Sequence, residues 1–265
     1  MYVVFTDLDG TLLEHETYSW APARPALERL SRRGVPLILC SSKTRAEVEV
    51  YRTALGNRDP FIVENGAAIF IPRGYFPCEV PEAVSRNGYD VIEFGVPYED
   101  LVATLQLAAS QTGVAVRGFH QMNVEEVRER SGLTEAEAYR AKQREYDEPF
   151  VILDAGGAPR LLAAIERLGK RWTRGSRFYH LTGGNDKAGA VIRLRKLFEQ
   201  GLGPVTTVGL GDGLNDAEFL AVVDVAILIP SPQLGELQRR VPHGRVAPLA
   251  GPLGWNAAIL EVIPE

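Results

Sequence analysis

Short apolar runs rich in β-branched residues recur along the chain, and stretches with a helical spacing of apolar residues lie between them. The runs are YVVFT at 2–6, VPLILC at 35–40, VTTVGL at 205–210, VAILI at 225–229 and RVAPL at 245–249. Alternation of this kind is typical of parallel strands joined by crossover helices. The chain is therefore predicted to have an α/β fold, with a doubly wound, mostly parallel, Rossmann-like sheet built from these buried strands.

Two helices and a hairpin are predicted after the first strand. Apolar residues on one face mark a helix around 24–33 and another around 44–55. The run FIVENGAAIF at 61–70 is predicted to form two strands joined by a turn at Asn65-Gly66, because this dipeptide is a strong hairpin signal.

Residues 74–180 differ in character from the rest of the chain. Charged helical stretches such as VEEVRERSG and LTEAEAYRAKQREY alternate there with short strands such as VIEF and FVIL. This segment is predicted to be an inserted α+β domain, with 1–73 and 181–265 forming the core. An insertion whose ends return to one sheet is expected to leave a cleft at the junction, and such clefts are favoured ligand sites.

The charge balance argues against nucleic acid and membranes as partners. The chain has 29 basic and 34 acidic side chains, a formal net charge of -5, so any phosphate must be bound by local groups. Two cysteines are too few for a disulfide framework, and the N-terminus does not resemble a signal peptide, so a cytoplasmic location is expected. The excess of arginine over lysine favours a thermostable protein.

The segment DLDGT follows the first predicted strand and puts Asp7 and Asp9 at its carboxyl end. Open parallel sheets bind their ligands at this edge. Two carboxylates this close repel each other unless a cation lies between them, and clustered oxygen ligands suit Mg²⁺. The alternative is ordinary turn chemistry, since Asp and Gly are common in turns.

A second polar segment follows the next predicted strand and consists of Ser41, Ser42, Lys43, Thr44 and Arg45. Hydroxyl and backbone N–H groups at the start of a helix form an anion site. The alternative is that the segment only caps the helix, with Thr44 as its N-terminal residue.

Two later segments add a lysine and further acidic residues. Lys187 opens the amphipathic stretch KAGAVIRLRKLF, where it can reach both a phosphate and a carboxylate, although a lysine at this position is commonly a solvated surface residue. The segment GDGLND places Asp212, Asn215 and Asp216 on a glycine-rich turn after another strand. Four polar clusters at the ends of strands and helices are expected to converge.

These four segments resemble, in order, the four motifs of the haloacid dehalogenase superfamily of aspartate-nucleophile phosphatases. The motif residues are DLDGT, the serine after the second strand, Lys187 and GDGLND. The large insertion resembles the C2B-type cap of the Cof-like subgroup. The resemblance implies a catalytic core at 1–73 and 181–265 with a cap at 74–180.

The resemblance also implies a role for each motif residue. Asp7 would attack phosphorus to form an aspartyl-phosphate, and Asp9 would protonate the leaving oxygen and then deprotonate the attacking water. Ser41 and Lys187 would hold phosphoryl oxygens. The cofactor would be Mg²⁺, with Asp9 binding it through the backbone carbonyl. The expected metal-binding residues are Asp7, Asp9, Asp212 and Asp216.

Four further segments resemble the mannosyl-3-phosphoglycerate phosphatases. They are HETYSWAPA at 15–23, CSSKTR at 40–45, REYDEPF at 144–150 and RFYHLTGGNDKAGA at 177–190. This resemblance implies hydrolysis of 2-O-mannosyl-3-phosphoglycerate to mannosylglycerate, a compatible solute. Such a substrate needs cations for its carboxylate and polar groups for its sugar hydroxyls. The candidate substrate-binding residues are Ser42, Lys43, Arg45, Arg144, Arg177, His180 and Asn215.

Several alternatives stay open at this point. Arg144 and Arg177 are equally compatible with surface ion pairs, and His180 with a packed histidine. Glu64-Asn65-Gly66 either supports the site or is only a hairpin turn.

The function has alternatives of its own. A related sugar phosphatase, acting on glucosyl-3-phosphoglycerate or a hexose phosphate, and a phosphomutase are alternatives within the enzymes. A receiver-like phospho-acceptor module is the non-enzymatic alternative, although Asp9 would promote turnover rather than a stable phosphoprotein. A second copy of the chain, as a homodimer, is the expected macromolecular partner.

Overall fold

The computed structural model describes residues 1–175 and 177–265, and the chain divides into two compact units. Unit 1 comprises Met1–Ser42, Gly56–Ile92 and Asp186–Glu265. Unit 2 comprises Lys43–Leu55 and Glu93–Asn185. Unit 2 shares most of its residues with the predicted inserted domain but has different bounds, and the predicted domain bounds stay a prediction.

The strands include those predicted at 2–6, 35–40, 61–70, 205–210 and 225–229. They are β1 (Tyr2–Thr6), β2 (Leu37–Cys40), β3 (Phe61–Val63), β4 (Ala68–Pro72), β5 (Val84–Arg86), β6 (Tyr89–Glu93), β7 (Val116–Gly118), β8 (Asp147–Ile152), β9 (Arg171–Arg174), β10 (Tyr179–Thr182), β11 (Thr206–Gly211), β12 (Val225–Leu228) and β13 (Arg245–Val246).

The α-helices lie between these strands. They are α1 (Arg24–Arg32), α2 (Arg45–Leu55), α3 (Tyr98–Thr112), α4 (Val124–Ser131), α5 (Glu135–Ala141), α6 (Ala158–Arg167), α7 (Lys187–Leu202), α8 (Ala217–Val222), α9 (Leu234–Arg240) and α10 (Gly251–Val262). Within the described residues, none of these helices has both the length and the apolar character that a membrane span requires.

A nine-stranded sheet in the order β13-β12-β11-β1-β2-β3-β4-β6-β5 dominates unit 1. The strands from β13 to β3 pair in parallel, and β3 and β4 form an antiparallel hairpin. Thr6 of β1 is in register with Leu210 on one side and Leu39 on the other. The carboxyl ends of these three strands therefore lie side by side, and the predicted α/β fold with a mostly parallel sheet is confirmed.

The last predicted strand is shorter than the sequence indicated. Residues 245–249 were predicted as a buried strand, but β13 contains only Arg245 and Val246, and both are exposed. β13 lies at the edge of the sheet and pairs with β12 alone. Pro248 has no backbone N–H for a sheet hydrogen bond, which is consistent with an edge strand this short.

Apolar side chains between the large sheet and its helices form the core of unit 1. β1 contributes Phe5, and α7 contributes Leu194 and Phe198, all fully buried. Burial of a side chain of this size stabilises the fold by about 1.5–3 kcal/mol. Trp255 of α10 is also buried, and its indole N–H donates to Oγ1 of Thr6 over 3.0 Å. Apolar packing and this hydrogen bond therefore both hold the carboxyl end of β1 in place.

Unit 2 contains a four-stranded antiparallel sheet in the order β7-β8-β10-β9. One apolar cluster joins this sheet to α3 and α6, and a second joins it to α4 and α5. The combination of an antiparallel sheet with packed helices confirms the predicted α+β character of the second domain.

Candidate active site

Asp7 is the first residue after β1 and is almost completely buried. Its backbone N–H donates to the carbonyl of Leu210, which extends the pairing of β1 with β11 by one residue. Its Oδ1 atom accepts a hydrogen bond from Nζ of Lys187 over 2.7 Å. The structure therefore brings the first and third sequence motifs together at the carboxyl edge of the parallel sheet.

The turn after Asp7 packs directly against Asp212. Oγ1 of Thr11 donates to Oδ1 of Asp212 over 3.0 Å. Gly10 has a φ of +75°, and a Cβ at this position would lie 2.6 Å from Oδ2 of Asp212. Only glycine meets both requirements without strain, so Gly10 allows the first and fourth motifs to approach this closely.

Lys187 is the first residue of α7 and is 1% exposed. The helix starts there because the side chain of Asp186 accepts the N–H of Gly189, which is an N-cap. The Lys187 ammonium donates to Oδ1 of Asp7 and, over 2.6 Å, to Oδ1 of Asp216. The alternative of a solvated surface lysine is therefore wrong, because the tertiary fold buries the ammonium between two carboxylates.

Asp216 is fully buried and uses both of its carboxylate oxygens. Oδ2 accepts the backbone N–H groups of Asp212 and Gly213, over 3.1 and 3.0 Å. A Cβ at Gly211 would lie 2.7 Å from the Cβ of Asp216, so the absence of a side chain there makes room for this carboxylate. Asp216 thus holds both the GDGLND turn and Lys187.

Carboxylate oxygens of Asp7, Asp212 and Asp216 converge to within 4.8 Å of one another. Burial, followed by the charge of Asp216, raises the pKa of Asp7 well above its ordinary value and that of Asp212 to about 7. Burial alone would lower the pKa of Lys187, but the charges of Asp216 and Asp7 raise it above its ordinary value. A single buried ammonium thus faces an excess of negative charge, and oxygen donors in this arrangement suit a hard divalent cation.

Asp9 lies on the turn that follows Asp7 and is half-buried. It forms an isolated bridge with Leu13, and the N–H of Gly10 donates to the carbonyl of Leu13 over 2.9 Å. Within the described residues, the group of three converging carboxylates does not include Asp9. The expectation that Asp9 binds a metal through its backbone carbonyl stays a prediction.

The polar segment after β2 is divided between the two units. Ser41 is fully buried in unit 1, where its backbone N–H donates to Ile62, and Ser42 is half-buried. In unit 2, Thr44 and Glu47 form reciprocal side-chain to backbone hydrogen bonds, a capping box at the start of α2. The helix-cap alternative is therefore correct for Thr44, and the predicted contacts of Ser41 and Ser42 with substrate stay predictions.

The two basic residues of this segment also lie in unit 2. Lys43 is buried, and its ammonium is 5.7 Å from the ring centre of Tyr51. Arg45 forms ion pairs with Glu49 and Glu145, each over 3.1 Å. Their predicted contacts with substrate stay predictions.

The turn Glu64-Asn65-Gly66 is both a hairpin turn and a contact point of the site. All three residues have positive φ, from 46° to 86°, which is unusual for Glu and stores backbone strain. The N–H of Asn65 donates to the carbonyl of Ser41, and Oδ1 of Asn65 accepts from Nδ2 of the exposed Asn215 over 3.4 Å. The Asn-Gly pair was the only sequence signal for this turn, and only the structure shows which segments it joins.

Gly66→Ala is expected to lower the free energy of unfolding by at least about 2 kcal/mol, because a Cβ would be strained at its φ of +86° and would clash with backbone. That Cβ would lie 2.0 Å from the carbonyl oxygen of Asp186, directly before Lys187. Urea denaturation measures the loss. Gly56→Ala is the matched control, since Gly56 also has positive φ, at +63°, but nothing within 4 Å of the new Cβ. Equal losses for the two variants would show that the close approach of Gly66 to Asp186 does not affect the free energy of unfolding.

Three of the predicted substrate-binding residues, Arg144, Arg177 and His180, lie in unit 2. His180 and Arg144 both contact the same buried carboxylate, that of Asp147, over 2.8 and 3.5 Å. Arg177 is exposed on the segment before β10. Sequence reasoning missed Asp147, although it lies inside the segment REYDEPF, because nothing in a sequence shows that His180 reaches it.

The chain matches one family model and several curated proteins. Residues 4–76 match the model of the haloacid dehalogenase-like hydrolases. A glucosyl-3-phosphoglycerate/mannosyl-3-phosphoglycerate phosphatase of Methanococcoides burtonii is 41% identical over 265 residues, covering 99% of this chain and 97% of the relative. A mannosyl-3-phosphoglycerate phosphatase of Pyrococcus furiosus is 40% identical over 227 residues, covering 86% of this chain and 90% of the relative.

Solved structures share the fold at much lower sequence identity. A haloacid dehalogenase-like hydrolase from B. subtilis has a TM-score of 0.70 at 15% identity, with all of both chains covered. A sugar phosphatase of HAD subclass IIB has a TM-score of 0.66 at 18% identity, covering 98% of this chain and 96% of that one. At these identities the likeness concerns the fold alone.

Proposed function

The chain belongs to the haloacid dehalogenase-like hydrolases and is a phosphatase, and from that premise we propose that it hydrolyses 2-O-mannosyl-3-phosphoglycerate to mannosylglycerate and phosphate. The names of the two relatives above, which are 40% and 41% identical to the chain, support this substrate class. The observation that carries the proposed chemistry is the buried Asp7 beside Lys187 at the carboxyl end of β1.

Asp7 is the proposed nucleophile. One of its carboxylate oxygens attacks phosphorus in line, the bond from phosphorus to the ester oxygen breaks, and an aspartyl-phosphate forms. The hydrogen bond from Lys187 to Oδ1 restricts the rotation of the carboxylate before the attack. Because the site is buried, the electrostatic effect of the ammonium is stronger than it would be in water.

Asp9 is the proposed acid and base. It first donates a proton to the departing glycerate oxygen and then accepts a proton from the water that attacks the aspartyl-phosphate. The second step releases phosphate, frees the carboxylate of Asp7 and returns the proton to Asp9. Ser41 and Lys187 are the proposed ligands of the phosphoryl oxygens, through a hydroxyl and an ammonium that are both buried.

The residues present fit a magnesium ion. The three converging carboxylates of Asp7, Asp212 and Asp216 carry more negative charge than Lys187 neutralises, and they offer the oxygen donors that this ion prefers. Asp7, Asp212 and the backbone carbonyl of Asp9 would hold the ion, with Asp216 beside them. When bound, Mg²⁺ would reduce the repulsion between the attacking carboxylate and the phosphate.

The glucosyl compound is the second candidate substrate. The relative from Methanococcoides burtonii carries both substrates in its name, so activity on glucosyl-3-phosphoglycerate is proposed alongside the mannosyl activity. The receiver-like alternative is not retained, because the chain is a phosphatase. A homodimer, a cytoplasmic location and thermostability stay predictions.

Phosphate release tests the proposed function. We expect rapid release from mannosyl-3-phosphoglycerate and glucosyl-3-phosphoglycerate in Mg²⁺, slow release from mannose 6-phosphate and 3-phosphoglycerate, and none in excess EDTA. Comparable release from all four compounds would refute the proposed substrate. Transfer of phosphate to another hydroxyl without release would identify a mutase instead.

A further inference from the structure

Asp147, the first residue of β8, is a fully buried acid in unit 2 that two candidate substrate-binding residues share. Its Oδ2 atom contacts Nδ1 of His180 over 2.8 Å and a terminal nitrogen of Arg144 over 3.5 Å. Its Oδ1 atom is also buried and has no hydrogen-bond partner within the described part of the chain. A buried carboxylate with one unpaired oxygen is costly to the fold, so stability alone does not account for an acid at this position.

The contact with Asp147 determines the orientation of the His180 ring. A carboxylate accepts hydrogen bonds and does not donate them, so Nδ1 of His180 carries the proton in this pair. In the neutral ring, Nε2 is then a hydrogen-bond acceptor. β10 pairs with β8 in antiparallel register, and this pairing holds the two side chains next to each other.

The Nε2 edge of His180 faces Gly175, which has no side chain. A Cβ there would lie 3.1 Å from Nε2, closer than side chains normally pack. The backbone of Gly175 does not require glycine, because its φ is not in the left-handed region. A side chain at position 175 would therefore crowd Nε2 of His180, and the His180 side chain is 18% exposed.

Arg144 balances the charge of Asp147. Its side chain is 8% exposed, its Nε donates to the carbonyl of Ala141 over 2.9 Å, and its guanidinium carbon lies 5.9 Å from the ring centre of Phe119. These contacts hold the guanidinium beside the buried carboxylate. Arg144 and Asp147 thus form a buried ion pair, and the contact with the Asp147 carboxylate orients the ring of His180.

We propose that Asp147 is a positioning residue that directs Nε2 of His180 towards a hydrogen bond with a hydroxyl of the glycosyl group. The inference rests on the proposed function, because a sugar-bearing substrate supplies the hydroxyl. A hydroxyl both donates and accepts hydrogen bonds, so it can pair with a ring nitrogen of either kind, and a well-oriented ring nitrogen discriminates sugars from phosphates that lack sugar hydroxyls. Asp147 and His180 are therefore specificity determinants, not part of the phosphoryl-transfer chemistry.

Asp147→Ala, which removes the acceptor altogether, is the test, measured on the full chain with mannosyl-3-phosphoglycerate and with p-nitrophenyl phosphate, which has no sugar. We expect KM for the sugar substrate to rise about 10-fold while kcat changes by less than about 3-fold, because an interaction made equally in ground and transition states is lost. Both parameters for p-nitrophenyl phosphate are expected to stay unchanged. The Tm of the variant is expected to fall, because the buried guanidinium of Arg144 loses the negative charge beside it.

His180→Ala and the double variant separate positioning from direct contact. If Asp147 acts through His180, the double variant has the same KM as His180→Ala, because the loss of Asp147 can change substrate binding only when the imidazole is present. Gly175→Ala is expected to raise KM for the sugar substrate alone. Asp100→Asn, an exposed acid on α3 of the same unit, is the matched control and is expected to leave all parameters unchanged.

The outcomes distinguish this inference from the proposed function. If the wild type shows no preference for the sugar substrate over p-nitrophenyl phosphate, the proposed function fails whatever Asp147 does. If the wild type has the preference and Asp147→Ala keeps the wild-type KM, the inference alone is overturned. Equal losses on both substrates, or a fall in Tm without a change in specificity, would also overturn it by showing a structural role.

Discussion

Replacing Asp7 by Asn is expected to abolish phosphate release, with a loss of at least about 10⁴-fold in kcat, because the proposed nucleophile is removed. Asparagine has nearly the shape of aspartate and keeps an oxygen that accepts from Lys187, so the fold and the hydrogen bond are expected to persist. Burial and the charge of Asp216 raise the pKa of Asp7, which shows that its negative charge is unfavourable in this cluster. Without metal, the variant is therefore expected to be at least as stable as the wild type.

Two measurements on Asp7→Asn separate chemistry from folding. Phosphate release from the proposed substrate gives kcat, and urea denaturation in EDTA gives the free energy of unfolding. Asp90→Asn, which changes a half-buried acid on β6, is the control and is expected to keep full activity. Residual activity near the wild-type value in a pure, folded preparation would refute the nucleophile assignment.

Lys187→Met is the second substitution with a large expected effect, because it changes both activity and stability. Methionine fills most of the space of the lysine but leaves Asp7 and Asp216 without their shared cation. Removal of one partner from a buried ion pair typically costs about 3–5 kcal/mol in stability. Loss of a buried cation from a phosphoryl-transfer site is expected to lower kcat by about 10²–10³-fold.

The stability loss in Lys187→Met depends on pH in a defined direction. The ammonium pKa is raised in the folded protein, so its stabilisation is fully present below its ordinary value of 10.5 and does not vary near neutrality. Burial and the charge of Asp216 raise the pKa of Asp7 and raise that of Asp212 to about 7, so the carboxylate of Asp212 gains a proton as the pH falls from 8 to 5. Protonation relieves the repulsion that the variant leaves, and the loss is expected to be smaller at pH 5 than at pH 8.

Urea denaturation of Lys187→Met and the wild type in EDTA at both pH values measures this dependence. Lys196→Met, an exposed lysine on the same helix, is the matched control and is expected to change stability by less than about 0.5 kcal/mol. A loss for Lys187→Met that is no larger than that of the control would contradict the ion pairs seen here.

The chemistry of the core site is largely predictable from the sequence, because it depends on residue types at the ends of strands. DLDGT and GDGLND follow parallel strands, and parallel strands in register bring their carboxyl ends to one edge. The capping box at Thr44 and the turn at Asn65-Gly66 are also local, since the residues that form them are close in the sequence. The length of the last strand was not predictable, because it depends on pairing with β12 alone.

Contacts between residues that are far apart in the chain, in contrast, are not predictable from the sequence. The ammonium of Lys187 bonds to Asp216 as well as to Asp7, and Asp147 is shared by Arg144 and His180. Neither arrangement has a sequence signal, because a hydrogen bond depends on a separation in space of about 3 Å. The sequence by itself determined the fold class and the chemical groups of the core site, since both follow from local patterns. Only the tertiary structure decided which charges are buried together, because burial and distance arise when segments far apart in the chain pack against one another.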